Sequence, residues 1–276
     1  SAYLSRISRF KNVSLVAIQD ESEEILHHRR SKLGADILIF KKYEEMVDEV
    51  KPDLVIALGS HNHMAAVAHF LLDRNVAFLM EKPMSFSAQE LKKLIAKSKS
   101  TNGFAAVALH NRYSKFVSLA KEFTATGLYG PLTHFYSRLN RPTSARYSNW
   151  GSNWMLDPER SNGGCLRNLG NHGLDIFCYL TGLSSEVEVT GAQLSWRTLN
   201  QKVEDYASVL VKTRSNVIGT IETGNCYPGD GTDGEWKAGF QKALLIQKEN
   251  KLRLITSDGE FFIKQEQQDP VDLLLL

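Results

Sequence analysis

The first hundred residues alternate between two hydrophobic rhythms. Short aliphatic runs at 13–18, 35–40, 54–58, 76–80 and 104–109 are apolar almost without a break, which is how strands buried on both faces read. Between them, 21–33, 43–50, 64–74 and 88–100 place apolar residues three or four apart with charges on the opposite side, the pattern of amphipathic helices. Strand and helix in alternation predict an open, doubly wound parallel sheet with helices on both faces and ligands beyond the carboxyl ends of its strands.

A further helix is predicted over 115–126, stopped by Gly127, and Tyr129-Gly130-Pro131 then turns the chain into a different regime. Strands are predicted at 132–139, 186–196, 206–213, 217–223, 242–247, 251–256 and 260–264. Most are joined by tight turns such as 214–216 and 257–259, so the sheet they form is mainly antiparallel. One helix interrupts it, from about Asn168 to Thr181, closed by Gly182 in a left-handed cap. The fold class is therefore α/β, a parallel-sheet domain over 1–110 followed by an α+β domain over 111–276.

Composition narrows the function. With 42% hydrophobic and 23% charged residues over 276 positions the chain reads as globular. Its 33 basic residues nearly balance 31 acidic ones, so no strong field draws nucleic acid or an anionic membrane, and neither is expected as a partner. Three cysteines, Cys165, Cys178 and Cys226, show no C-x-x-C spacing. That argues against a disulfide framework or a structural zinc, and for a reducing, cytoplasmic compartment with no metal. Every apolar stretch is broken well before the ~18 residues a membrane helix needs.

Three constellations carry possible chemistry. Asp20 ends the apolar strand Leu15-Val16-Ala17-Ile18-Gln19-Asp20, where in a dinucleotide-binding sheet a carboxylate can accept both ribose hydroxyls of an adenosine and repel a 2′-phosphate; it reads equally as a helix N-terminal acid. Met80-Glu81-Lys82-Pro83 puts Lys82 over the carboxyl end of the sheet, where an ammonium can stabilise a developing oxyanion, although a loop lysine taken singly is usually only solvated. In Gly163-Gly164-Cys165-Leu166-Arg167-Asn168-Leu169-Gly170-Asn171-His172-Gly173-Leu174-Asp175, Asn168, His172 and Asp175 fall four and three apart and share one face of a helix, beside an apolar stripe of Leu169, Ile176 and Leu180. Imidazole can accept a hydroxyl proton near neutral pH, and a carboxylate one turn away can hold its orientation. A helical histidine serves structure as often as chemistry. Trp150 and Trp154 are assigned no role, Cys165 reads as a small buried residue, and the Arg138, Arg141 and Arg146 cluster could contact an acidic substrate group but, in a polar loop, reads as solvated surface.

Together with Val16-Ala17-Ile18-Gln19-Asp20, Glu204-Asp205-Tyr206-Ala207 and Gly219-Thr220-Ile221-Glu222, these motifs resemble the Gfo/Idh/MocA oxidoreductases over roughly residues 1–265. The resemblance implies an N-terminal Rossmann domain carrying a nicotinamide cofactor, NAD rather than NADP. A C-terminal domain would follow, whose open sheet forms a homodimer or homotetramer interface. It implies a small-molecule substrate, a sugar, cyclic polyol or derivative, oxidised at a CH–OH group. Lys82 would be the catalytic lysine, His172 the acid/base and Asp175 its polar neighbour. Asp20, Glu81, Ser60 and one of the two histidines of Gly59-Ser60-His61-Asn62-His63, with His63 taken here, would line the cofactor, as would Asn111. Arg112 and Asn168 would join Lys82 and His172 at the substrate.

Asn168 stands where the family commonly has Asp; an amide can bond a hydroxyl but cannot take a proton. The resemblance also implies that the chain is a fragment: the family's first strand and glycine-rich diphosphate turn would precede Ser1, and its closing elements would follow the end. Two other functions share the architecture, an NAD-dependent glycoside hydrolase and a non-catalytic cofactor-binding regulator.

Overall fold

The computed structural model describes residues 3–7, 9–34, 36–101, 103–142, 145–149, 151–182, 186–264 and 270–274. Two units emerge. The first comprises Ser1–Leu58, Met64–Glu81 and Ser87–Val107; the second comprises Gly59–His63, Lys82–Phe86 and Ala108–Leu276.

The first unit holds α1 (Leu4–Ile7), β1 (Ala17–Gln19), α2 (Glu23–Leu33), β2 (Leu38–Phe40), α3 (Tyr43–Val50), β3 (Leu54–Ala57), most of α4 (His61–Asp73), β4 (Ala77–Met80), α5 (Ala88–Thr101) and β5 (Ala105–Val107). All its strand pairs are parallel, as the apolar runs predict. They form two sheets, β1-β2 and β3-β4-β5, rather than one. β1 and β3 each pair on one side only, and Val16 just before β1 and Leu54 at the start of β3 remain almost half exposed, at 46% each. Leu71, Leu72, Phe78, Met80 and Leu94 build the unit's core. Caps fix the helices: the Ser22 hydroxyl accepts the N–H of Ile25 at the start of α2.

The second unit is an eight-stranded sheet with helices. In chain order it holds α6 (Lys115–Thr126), β6 (Leu132–Pro142), α7 (Ala145–Asn149), α8 (Pro158–Ser161), α9 (Asn171–Thr181), β7 (Val187–Ser195), β8 (Tyr206–Thr213), β9 (Ile218–Tyr227), β10 (Asp233–Phe240), β11 (Ala243–Lys248), β12 (Lys251–Thr256), β13 (Gly259–Ile263) and α10 (Pro270–Leu274). The strand order is β13-β12-β11-β10-β6-β9-β8-β7, antiparallel throughout except for β6 beside β9. β10 is a strand that the pattern of the sequence does not predict. Gly127 caps α6 in the left-handed region at φ 66°, whereas Gly182 combines a positive φ of 101° with an extended ψ and is not the left-handed cap expected of it.

Phe116, Val117 and Phe123 of α6 and Ile176, Phe177 and Leu180 of α9 pack on Phe135, Ile221 and Leu245 of the sheet. Leu169, Ile176 and Leu180 are all buried, as the predicted stripe requires. Other strand positions, among them Leu210, Ile218 and Phe262, are exposed.

Candidate active site

The helix expected over 168–181 winds differently at its start. Leu166–Gly170 is a π-helical turn, and the α-helix begins at Asn171. Such turns are rare and concentrate at functional sites. Glu204 anchors this one. Only 6% exposed, its carboxylate accepts the N–H of Gly164 at 2.7 Å and that of Leu166 at 3.0 Å, and its carbonyl accepts the N–H of Cys165. Gly164 is indispensable to that approach, because a Cβ there would collide with the Glu204 backbone; Gly173 plays the same part against Ser137 of β6. The glycines thus admit neighbouring protein.

The 82–86 segment is tied to the same region by four hydrogen bonds. Lys82 Nζ donates to Asn168 Oδ1 at 2.9 Å and to its carbonyl at 2.5 Å. Arg167 donates to the Ser85 carbonyl at 2.5 Å, and Asn162 to that of Phe86 at 3.3 Å. The Lys82–Pro83 bond is cis. From Asn168 the network continues: its Nδ2 donates to Tyr147 Oη at 3.1 Å, and Tyr147 Oη donates to Asn225 Oδ1 at 3.3 Å.

His172 is 6% exposed, and its Nδ1 meets no hydrogen-bond partner among the described residues. The His110 ring stands edge-on to it, centroids 5.3 Å apart. Burial first, then the positive charges of Lys82, His110 and Arg141, holds its pKa well below 6.5, so the imidazole is neutral at physiological pH. Asp175 does not hold its orientation, contrary to the sequence-based expectation. Its carboxylate is bound by the Arg112 guanidinium, with Nη2 2.5 Å and Nε 3.0 Å from its oxygens, a pairing across 63 positions that the helical spacing cannot reveal. Arg112 also lies over the Tyr179 ring at 5.0 Å.

Of the positions expected along the cofactor, Asp20 follows β1. Its Oδ1 accepts the N–H of Ser22 at 3.0 Å, and no described residue bonds its Oδ2. A half-buried carboxylate with one open oxygen suits ribose hydroxyls. Glu81 accepts the hydroxyl of buried Tyr3 at 2.9 Å. Ser60 is buried, while His63 is exposed. His61 is the buried member of the pair: 5% exposed, with Nδ1 3.0 Å from the Ser161 carbonyl, its ring edge-on to Trp154, and burial lowering its pKa to about 4. Asn111 lies in the 3₁₀ turn His110–Tyr113.

The arginines are not solvated surface. Arg138 pairs with Asp233 at 2.8 Å and Glu235 at 3.6 Å. Arg146 donates to Asn225 and Tyr147, and Arg141 is part-buried. Cys165 is fully buried, its thiol pushed up to about 12 by that burial, as the sequence reading holds. Trp150 lies outside the described residues. Among them, no group of three or more His, Cys, Asp or Glu could hold a metal ion, and no helix is long and apolar enough to cross a membrane.

Comparison with known proteins decides the family. Residues 1–109 match the oxidoreductase family's NAD-binding Rossmann-fold model, and residues 117–259, half of the chain, match the GFO/IDH/MocA C-terminal domain. The chain belongs to the Gfo/Idh/MocA oxidoreductases. NAD is accordingly its cofactor class. An uncharacterized oxidoreductase of Schizosaccharomyces pombe is 24% identical over 177 residues, 64% of this chain and 46% of that protein. Levoglucosan dehydrogenase of Pseudarthrobacter phenanthrenivorans is 26% identical over 147 residues, 52% of this chain and 37% of that enzyme. The matched segments thus span less than half of either curated relative. A structure of levoglucosan dehydrogenase with NADH superposes with TM-score 0.81 at 18% identity, covering 98% of this chain and 77% of that one. An oxidoreductase from Thermotoga maritima gives 0.84 at 15%, covering 99% and 84%. At such identities the likeness is one of fold.

Proposed function

We propose that this chain is an NAD-dependent oxidoreductase that oxidises one hydroxyl of a sugar, cyclic polyol or derivative, with His172 as proton acceptor and Lys82 as oxyanion stabiliser. The observation that carries the reading is the buried, neutral His172, its Nδ1 without a described partner, within the electrostatic reach of the Lys82 ammonium. An orphaned buried nitrogen calls for an explanation, and proton acceptance from a substrate hydroxyl supplies one.

Bound NAD supplies the hydride acceptor. The carbinol O–H proton passes to the imidazole as the C–H bond breaks with its electron pair leaving carbon, and a carbonyl remains. Lys82, positioned by both oxygens of Asn168, donates a hydrogen bond to the oxygen on which charge grows. Asn168 and Arg112 contribute to substrate recognition, and Asp175 acts as a positioning residue through Arg112. Asp20 accepts the ribose hydroxyls, favouring NAD over NADP, while Ser60, His63, Glu81 and Asn111 line the remainder of the cofactor. The exposed apolar positions of the eight-stranded sheet support self-association through that sheet, which light scattering tests.

The test is to follow NADH absorbance with levoglucosan, glucose and myo-inositol. His172→Ala and Lys82→Ala should each slow oxidation by about 100-fold or more; rates equal to the parent's would refute the roles. With an aryl glycoside as substrate, release of the aglycone with no net NADH would favour the hydrolase.

A further inference from the structure

Of the three arginines that the sequence gathers between 138 and 146, two have evident partners. Arg138 has the carboxylates of β10, and Arg146 has Asn225 and the Pro142 carbonyl. Arg141 makes no hydrogen bond or ion pair with any described residue, and yet it is part-buried.

Its place in β6 tells which side of the sheet it serves. Side chains alternate along a strand, so 135, 137, 139 and 141 share a face. Phe135 is on the core face against α9, and the Ser137 hydroxyl lies against Gly173, the neighbour of His172. The register shift at the end of the β6–β9 pair puts the extra residue in β9, where Asn140 pairs with Gly224 and Pro142 with Tyr227, so β6 keeps its alternation through Arg141. A bulge of this kind commonly borders an active site. Arg141 therefore stands on the face that bears α9, beyond Ser137 at the strand's carboxyl end. The charges that act on it are consistent with this: Arg146 and Tyr147, with no carboxylate among them, while its own charge acts on His172.

A guanidinium keeps its proton at any physiological pH, and withdrawing one from water beside like charges is unfavourable unless a counter-ion is present. The described residues supply none. We infer that Arg141 receives a carboxylate carried by the substrate, so that the preferred substrate is a polyhydroxy acid, such as an aldonic or uronic acid, rather than a neutral sugar. The planar fork matches a carboxylate through two parallel hydrogen bonds. This inference rests on the dehydrogenase reading above for the identity of the site but makes its own prediction about binding.

Calorimetric titration of the NAD-supplemented chain with gluconate, glucose and glucose 6-phosphate tests it, alongside NADH production from each. Gluconate should bind about 10- to 100-fold more tightly than glucose. Arg141→Gln should bring the two within about threefold, and Arg141→Lys should fall between, provided circular dichroism shows both variants folded. Should Arg141→Gln not fold, the Arg141→Lys ratio decides alone, because the lysine keeps the charge and loses the fork. Equal binding of gluconate and glucose, a preference for the phosphate, or a gluconate preference unchanged in the variants would each overturn the inference. Oxidation of glucose with no gluconate preference would overturn it and leave the dehydrogenase reading standing. An Arg141-dependent gluconate preference with no NADH formed would sustain it and overturn that reading instead.

Discussion

The Lys82 ammonium donates to both oxygens of Asn168, the amide at 2.9 Å and the backbone carbonyl at 2.5 Å. Asn168 carries no charge, so these two bonds fix the position of the cation without offsetting its field. Lys82 thus remains one of the positive groups that hold His172 unprotonated.

Asn168→Asp should therefore raise the His172 pKa, because a carboxylate at that position offsets the lysine's field. Nitrogen-15 NMR titration of the histidines reads this without any substrate. An unchanged or lower His172 pKa would show that the two groups are not coupled.

Glu204 holds the turn that carries Asn168. Glu204→Ala removes the acceptor of two backbone N–H groups and should cost about 2–4 kcal/mol, since hydrogen bonds to charged groups contribute about 1.5–3 kcal/mol each and neighbouring losses are not fully additive. Urea unfolding checks this. A change under about 0.5 kcal/mol would mean that the turn stands without it.

Gly173→Ala forces a methyl group into Ser137 and Ile221 and should destabilise by about 1–3 kcal/mol through overpacking. The double variant Gly173→Ala/Ser137→Gly should recover part of the loss, which thermal unfolding of both proteins reads.

Stability should fall on acidification through the buried histidines. His61 has a folded pKa of about 4 against 6.5 when unfolded. Between those values the unfolded chain binds more protons, so stability is complete above pH 6.5 and declines toward pH 4. The loss from this residue alone is about 3 kcal/mol, and His172, also depressed, acts in the same direction. His61→Gln should flatten the pH dependence of the urea midpoint; an unaltered slope would contradict the assignment.

Much of the architecture was legible because burial on both faces writes itself as unbroken apolar runs: β3 and β4 fall within the runs at 54–58 and 76–80. β10 was not, since Asp233, Gly234, Glu235, Lys237 and Gly239 lack strand-forming character. Pairing on both sides with β6 and β11 makes it a strand, and Gly239 is needed where the His134 ring crosses. The π turn was hidden because Asn168, His172 and Asp175 have ideal α-helical spacing, while Glu204, 38 positions beyond Leu166, sets the actual winding. Long-range partners such as Arg112 for Asp175 leave no local mark, and Arg141 differs from its two neighbouring arginines only by what the folded chain fails to offer it.

The most direct test of the account is the fate of the carbinol hydrogen. The chain is incubated with NAD and carbon-perdeuterated glucose or gluconate, and the reduced nucleotide is weighed by mass spectrometry. One deuterium should appear in the nicotinamide, at a rate cut about 100-fold or more by His172→Ala. Reduced nucleotide without deuterium, or labelling indifferent to His172, would contradict it.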